Sequence, residues 1–269
     1  MRAHGKCPFK ERHYFDIYID GCSFTNGHNA VDGLEESTTE KSWAWKLPGS
    51  TFIGARAGKD NHTIFMDSMQ ALQKGIKELI IFWTFPERYQ LPSEKNPPHN
   101  IWHNKEIVPP MMLHNAFWDH VKFQLIFMYT IQEECKRQGV KYTYLTTLPY
   151  SYYVQGDNWY LSKIDHNRVV NWPGVPTDVE HGAWVNSLIT MFGVKHNCLG
   201  GDLKHLTPDG EDKFLEQVIL TFLNNNEAVQ DWSPELVIEY ALSIPEKKLH
   251  EATRLNKKDI HRQVEYIYE

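Results

Sequence analysis

The sequence predicts an α/β fold, a three-layer α/β/α sandwich around a central parallel sheet. Three observations predict it. Apolar, β-branched and aromatic runs at 14–20, 51–55, 78–83 and 140–146 alternate with segments of helical period, the order in which helices cross over between parallel strands. The run 78–83 is apolar almost throughout, as a strand must be when both of its faces are covered. A chain of 269 residues, 41% of them apolar and 23% charged, also suffices for one large domain with a full core.

The elements follow in order. Residues 14–20 are rich in β-branched and aromatic side chains and stop at Gly21, which reads as the first strand. Residues 38–47 read as a short helix and 51–55 as the second strand. A helix follows, because Phe65, Met69, Leu72 and Ile76 recur at helical spacing, with Gly75 near its end. After the third strand at 78–83 the periodicity stops, and Pro86, Pro92, Pro97, Pro98, Pro109 and Pro110 mark 85–111 as a long insertion. A helix over 113–137 keeps Phe117, Val121, Leu125, Met128 and Cys135 on one face and stops at Gly139. The fourth strand is 140–146. A second irregular insertion at 149–183 carries Tyr150, Tyr152, Tyr153, Trp159, Tyr160 and Trp172. The last core helix starts at Thr207-Pro208, a cap followed by proline at the first helical position, and aligns Leu215, Val218, Ile219 and Phe222. Residues 1–226 thus form the main domain. Residues 227–269 form a helical C-terminal extension, locally basic at Lys247, Lys248, Arg254, Lys257, Lys258 and Arg262, which reads as a solvated helix or a surface for docking to itself or another protein.

Composition excludes several roles. With 28 Lys+Arg against 34 Asp+Glu the net charge is −6, which argues against nucleic acid as a partner. No apolar run approaches the ~20 residues of a membrane span. Residues 1–12 are polar and lack the apolar segment of a secretory signal, which predicts a cytoplasmic protein whose Cys7, Cys22, Cys135 and Cys198 stay reduced. Gly54-Ala-Arg-Ala-Gly58 lacks the spacing of a phosphate-binding loop, so no cofactor is expected. His99 and His103 lie four apart, but the flanking prolines argue against the helix that would pair them, and no metal is expected.

In a parallel sheet, ligands bind at the carboxyl ends of the strands. The loop after the first strand is Gly21-Cys22-Ser23-Phe24-Thr25-Asn26-Gly27. It sets a serine at the top of the sheet, in a turn whose backbone N–H groups can face a developing oxyanion. Before the last helix stands Gly200-Gly201-Asp202-Leu203-Lys204-His205. A carboxylate this near a histidine can hold the ring and stabilise its protonated form. Each segment alone also suits an ordinary turn.

Together, a Gly-x-Ser loop after the first strand and an Asp-x-x-His segment before the last helix resemble the SGNH (GDSL-type) hydrolase family, over residues 14 to 225 in element order. The opening Gly-Cys-Ser-Phe-Thr, the Phe-Trp-Thr…Glu-Arg after the third strand and the closing His-Leu-Thr-Pro-Asp-Gly look most like SGNH-like proteins encoded by tailed bacteriophages. The resemblance implies a flavodoxin-like sandwich with Ser23 as nucleophile, His205 as general base and Asp202 as its orienting carboxylate. It implies that the N–H groups of Gly58 and Ser23 form part of the oxyanion hole. The family's further donor is an asparagine after the third strand; this chain has Trp83-Thr84-Phe85-Pro86 there, and Thr84 or Asn61 stands as the replacement. Trp83 and Arg88, at the end of the third strand and just past it, are candidate substrate contacts. Cys22 beside Ser23 raises a thiol nucleophile, but adjacent side chains in a turn point apart, and Cys22 reads as a small buried residue.

The function so implied is a serine esterase acting on a small acyl group, acetyl by expectation, on a carbohydrate or similar alcohol. Aromatic residues are 13% of the chain with nine Trp, and the Trp- and Tyr-rich insertions suit stacking on sugar rings. The alternative is a catalytically weak or inactive member of the fold, serving recognition in a phage virion or at a host surface.

Overall fold

A computed structural model describes residues 2–4, 15–31, 34–37, 39–86, 115–147, 158–170, 187–200 and 205–225. Its centre is a parallel sheet. Strands β1 (Arg2–His4), β2 (Ile17–Asp20), β5 (Thr51–Ile53), β6 (Glu78–Trp83), β7 (Lys141–Thr146) and β8 (Val169–Val170) lie in the order β1-β5-β2-β6-β7-β8. Every adjacent pair runs parallel. A separate antiparallel hairpin, β3 (His28–Val31) with β4 (Leu34–Ser37), follows the first loop.

Helices cover both faces. Register places Tyr18 and Asp20 of β2, Ile81 and Trp83 of β6, and Tyr144 of β7 on one face. Against it pack α3 (Asn61–Leu72) and α4 (Asn115–Gln138), and the Tyr144 hydroxyl donates to the Met128 carbonyl of α4 at 2.8 Å. The opposite face carries Ile19, Ile80 and Phe82. There the Phe82 ring stacks on Phe214 at 6.5 Å and lies 6.1 Å from Phe24. Phe214 ends α7 (Pro208–Phe214), which continues through a π-helical stretch at Leu215–Leu220 into α8 (Thr221–Asn225). Short α1 (Ser23–Asn26) and α2 (Trp43–Lys46) sit on this side too, with Trp43 edge-on to Phe214. The remaining helices are α5 (Asn158–Leu161) and α6 (Leu188–Lys195). The architecture is the expected α/β/α sandwich.

Local chemistry explains the boundaries. Asp60 caps α3, accepting from the Thr63 N–H at 2.7 Å, and Thr207 caps α7, accepting from the Gly210 N–H at 3.2 Å with proline next in the chain. The predicted apolar faces of α4 and the last helix are buried at Val121, Leu125, Met128, Cys135, Leu215, Val218, Ile219 and Phe222.

Several expectations need correction. The face of α3 is rotated: Ile64, Ser68, Ala71 and Leu72 are buried, while Phe65 and Met69 are only partly buried, Phe65 stacking on Phe127 at 4.6 Å. Ile76 lies beyond the end of that helix. The expected helix at 38–47 is a 3-10 turn at Thr39–Lys41 followed by α2. The insertion expected to be irregular from 149 contains α5, a 3-10 turn at His166–Arg168 and strand β8. The N-terminal edge strand, the hairpin and α6 had no sequence forecast. Among the described residues, Cys22, Cys135 and Cys198 are free and buried, and no helix is long and apolar enough to cross a membrane. Most of the 85–111 insertion and the 227–269 extension lie outside the described residues, as do His99, His103, Trp102 and Trp172.

Candidate active site

The chain leaves β2 and turns to one side of the sheet at β5, then to the other at β6, so the strand order reverses beside β2. Ligand crevices form at such switch points. Ser23 follows β2 and Thr84 follows β6, which puts them on neighbouring loops at the carboxyl ends of adjacent strands.

Ser23 opens α1, where the Thr25 and Asn26 N–H groups both donate to the Cys22 carbonyl at 3.1 Å. This tight turn demands glycine at 21: a Cβ there would stand 2.2 Å from Thr25 Oγ1 and 3.0 Å from the Phe82 carbonyl. Cys22 is fully buried, so its thiol sits in the core.

His205 is brought to the same place from the far end of the sequence. The Gly200 N–H donates to the His205 carbonyl at 2.7 Å and the Thr207 N–H to the Cys198 carbonyl at 2.9 Å, with Leu199 and Leu206 in an antiparallel bridge. This tie joins residues 198–200 to 205–207; Asp202 lies outside the described residues. The His205 ring lies against Phe24, the residue after Ser23, with centroids 5.2 Å apart. Ser23 and His205 are both buried, at 5% and 9% exposure. Nε2 of His205 is enclosed by protein, and the Ser23 hydroxyl makes no hydrogen bond to it.

Asn61 and Thr84 are joined. The Thr84 N–H donates to Asn61 Oδ1 at 2.9 Å, while Asn61 Nδ2 donates to the Thr84 carbonyl at 3.1 Å and to Gln124 Oε1 at 3.2 Å. Both amide protons of Asn61 are therefore committed to Thr84 and Gln124. The Thr84 hydroxyl is buried with no hydrogen-bond partner among the described residues. Gly58 adopts φ +74°, a left-handed conformation that strains any residue with a Cβ. Trp83 is fully buried and packs edge-on to Tyr144 at 5.9 Å, so it belongs to the α3–α4 side of the core and offers no surface to a substrate. Arg88 lies outside the described residues.

Sequence reasoning missed a buried charge network under these loops. Lys59 and Asp20 have no exposed side-chain surface, and Lys59 Nζ lies 2.5 and 2.7 Å from the two Asp20 carboxylate oxygens. Asp20 also accepts from the Gly21 N–H at 2.7 Å and the Tyr18 hydroxyl at 3.0 Å. Burial pushes the Asp20 carboxyl above its ordinary value, and the Lys59 ammonium opposes that shift. A second buried acid, Glu211, accepts from the Trp43 N–H at 3.0 Å, and the Trp43 indole donates to the Phe24 carbonyl at 3.1 Å. Burial pushes Glu211 up to about 8. A Lys at 59 between Gly58 and the capping Asp60 carried no periodic signal that would have marked it as buried.

No protein-family model matches the chain, and no curated protein matches it in sequence. Among solved structures, the chain is similar to a carbohydrate esterase whose active site displays divergent catalytic and non-catalytic binding functions, at 10% identity and a TM-score of 0.38, over 78% of this chain and 68% of that one. It is also similar to TesA, at 11% identity and a TM-score of 0.44, over 77% of this chain and 97% of that one.

Proposed function

We propose that the chain is a serine esterase of the SGNH type. The observation that carries the reading is the contact of Phe24 with His205, which joins the Ser23 turn to the histidine loop at the switch point of the sheet. In this reading Ser23 Oγ attacks the ester carbonyl as His205 takes its proton. The Ser23 and Gly58 amides and the Thr84 hydroxyl stabilise the tetrahedral oxyanion. His205 returns the proton to the leaving alcohol, and water then cleaves the acyl-serine by the same route. Asp202 is assigned the role of holding the His205 ring. The substrate class is a small acyl ester, acetyl first, on a carbohydrate; the exposed Trp159 beside Tyr160 supports a stacking surface on the second insertion.

A second reading is a recognition protein with little or no turnover. It is favoured by the chain having Trp83-Thr84-Phe85-Pro86 after the third strand, with no asparagine to donate to an oxyanion. Labelling with a fluorophosphonate and turnover of p-nitrophenyl acetate, wild type beside Ser23→Ala, separate the two. The esterase labels at Ser23 and loses turnover in the variant. A wild type that neither labels nor turns over leaves the recognition reading.

A further inference from the structure

Lys59 bridges the two loops on which the proposed oxyanion hole depends. Its neighbour is Gly58, and its ammonium reaches across to Asp20, the last residue of β2 and three positions before Ser23. The same ammonium donates to the Gly54 carbonyl at 3.2 Å, where the chain leaves β5, and lies 2.7 Å from Asp67 on α3. Asp20 in turn holds the Gly21 N–H, the first amide of the serine turn. A backbone bond runs in parallel, from the Arg56 N–H to the Gly21 carbonyl at 3.2 Å. The space is closed: a Cβ on Gly54 would stand 2.1 Å from the Tyr18 hydroxyl that completes the Asp20 shell.

An ion pair buried in this way is a poor source of stability, because removing both charges from water offsets most of their attraction. Its geometry is stiff, however, since the fully buried ammonium lies 2.5–2.7 Å from both Asp20 oxygens and from Asp67. We propose that Lys59 is a positioning residue: by bonding Asp20, Asp67 and the Gly54 carbonyl at once, it fixes the Gly58 loop against the Ser23 turn and so sets the spacing of the two backbone amides. The catalytic part of this inference rests on the esterase reading; the positioning part rests on the network alone.

The test uses the whole chain carrying Asp20→Asn together with Lys59→Met, which removes the fully buried pair at once and leaves the partly exposed Asp67 to Arg56 at 3.8 Å, and Asp20→Asn alone as the milder change. Amide hydrogen exchange followed by NMR reads the loops without any need for activity. In the folded double variant, the Ser23 and Gly58 amides exchange about tenfold faster or more, while amides in the middle of α4 keep their wild-type protection. Asp20→Asn shifts the same two amides in the same direction by less. On p-nitrophenyl acetate the double variant loses about 10²-fold in kcat with KM held within about twofold, the pattern of misplaced groups rather than lost binding. A role confined to the fold would lower the melting temperature and leave both the two amides and kcat at wild-type values; wild-type exchange at Ser23 and Gly58 in either variant overturns the proposal. If the wild type shows no Ser23-dependent turnover, the esterase reading fails, and the exchange data still decide whether Lys59 positions the loops.

Discussion

Asn61 and Thr84 clasp each other backbone to side chain: the threonine N–H donates to Oδ1 at 2.9 Å, and Nδ2 donates back to the threonine carbonyl at 3.1 Å. The start of α3 is thereby pinned to the end of β6. Asn61→Ala strands the buried N–H and carbonyl of Thr84 and removes one donor from Gln124, which is fully buried. Each unsatisfied group costs ~1–3 kcal/mol, so the variant should lose about 3 kcal/mol in urea unfolding. A loss under ~1 kcal/mol would show the clasp to be incidental.

Thr84→Val separates stability from chemistry. The hydroxyl is buried without a partner among the described residues, so an isosteric apolar replacement should leave the unfolding midpoint unchanged or raise it slightly. If the hydroxyl is an oxyanion donor, kcat on p-nitrophenyl acetate falls ~10²–10³-fold in the same variant. Wild-type turnover in Thr84→Val would remove the threonine from the site.

Phe24→Leu tests the contact that joins the two halves of the site. The ring is buried against His205 and 6.1 Å from both Phe82 and Phe85. A leucine keeps the site apolar and should cost about 1 kcal/mol in stability. With the histidine less well seated, fluorophosphonate labelling of Ser23 should slow about tenfold. Labelling at the wild-type rate would mean that His205 is held in place by other groups.

Glu211 makes stability depend on pH. Burial raises its folded pKa to about 8, from an ordinary 4.5. Between those values the folded chain binds a proton that the unfolded chain has released, so stability falls as pH rises through this window. Its contribution is complete below about 4.5 and lost above about 8, a swing of a few kcal/mol. Glu211→Gln can still accept from the Trp43 N–H and carries no charge. Its melting temperature should change less than that of the wild type between about pH 4 and about pH 9, which differential scanning calorimetry at the two values would measure. Parallel curves for the two proteins would refute this.

Much of the architecture is written in the apolar pattern. The run Glu78–Trp83, buried at every position but the first, and the helix repeat through Val121, Leu125 and Met128 both mark partners on the sheet before any coordinates exist. The turn at Ser23 and the start of the last helix just past His205 are legible because glycine at a turn and a cap-proline pair are local signals. The short strands were not. Arg2–His4 and Val169–Val170 are strands because their backbones pair with β5 and β7, and no periodicity can register in two or three residues. The rotated face of α3 has a similar cause. Small Ser68 and Ala71 admit close packing on the sheet, so the large Phe65 is displaced toward Phe127 of α4.

The sequence by itself determined the alternation of strands and helices, the caps, and the loops on which chemistry could sit. Tertiary structure alone decided which polar groups at those loops are committed and which are available. The fold binds Asn61 and Thr84 to each other across 23 positions. Asp20 ends β2 and Lys59 lies in the loop before α3, yet they form a buried pair across 39 positions. The physical reason is that hydrophobic burial follows from the periodic order of neighbours along the chain. The partner of a buried charge or amide depends on which distant segment the packing brings within 3 Å, and sequence spacing does not contain that distance.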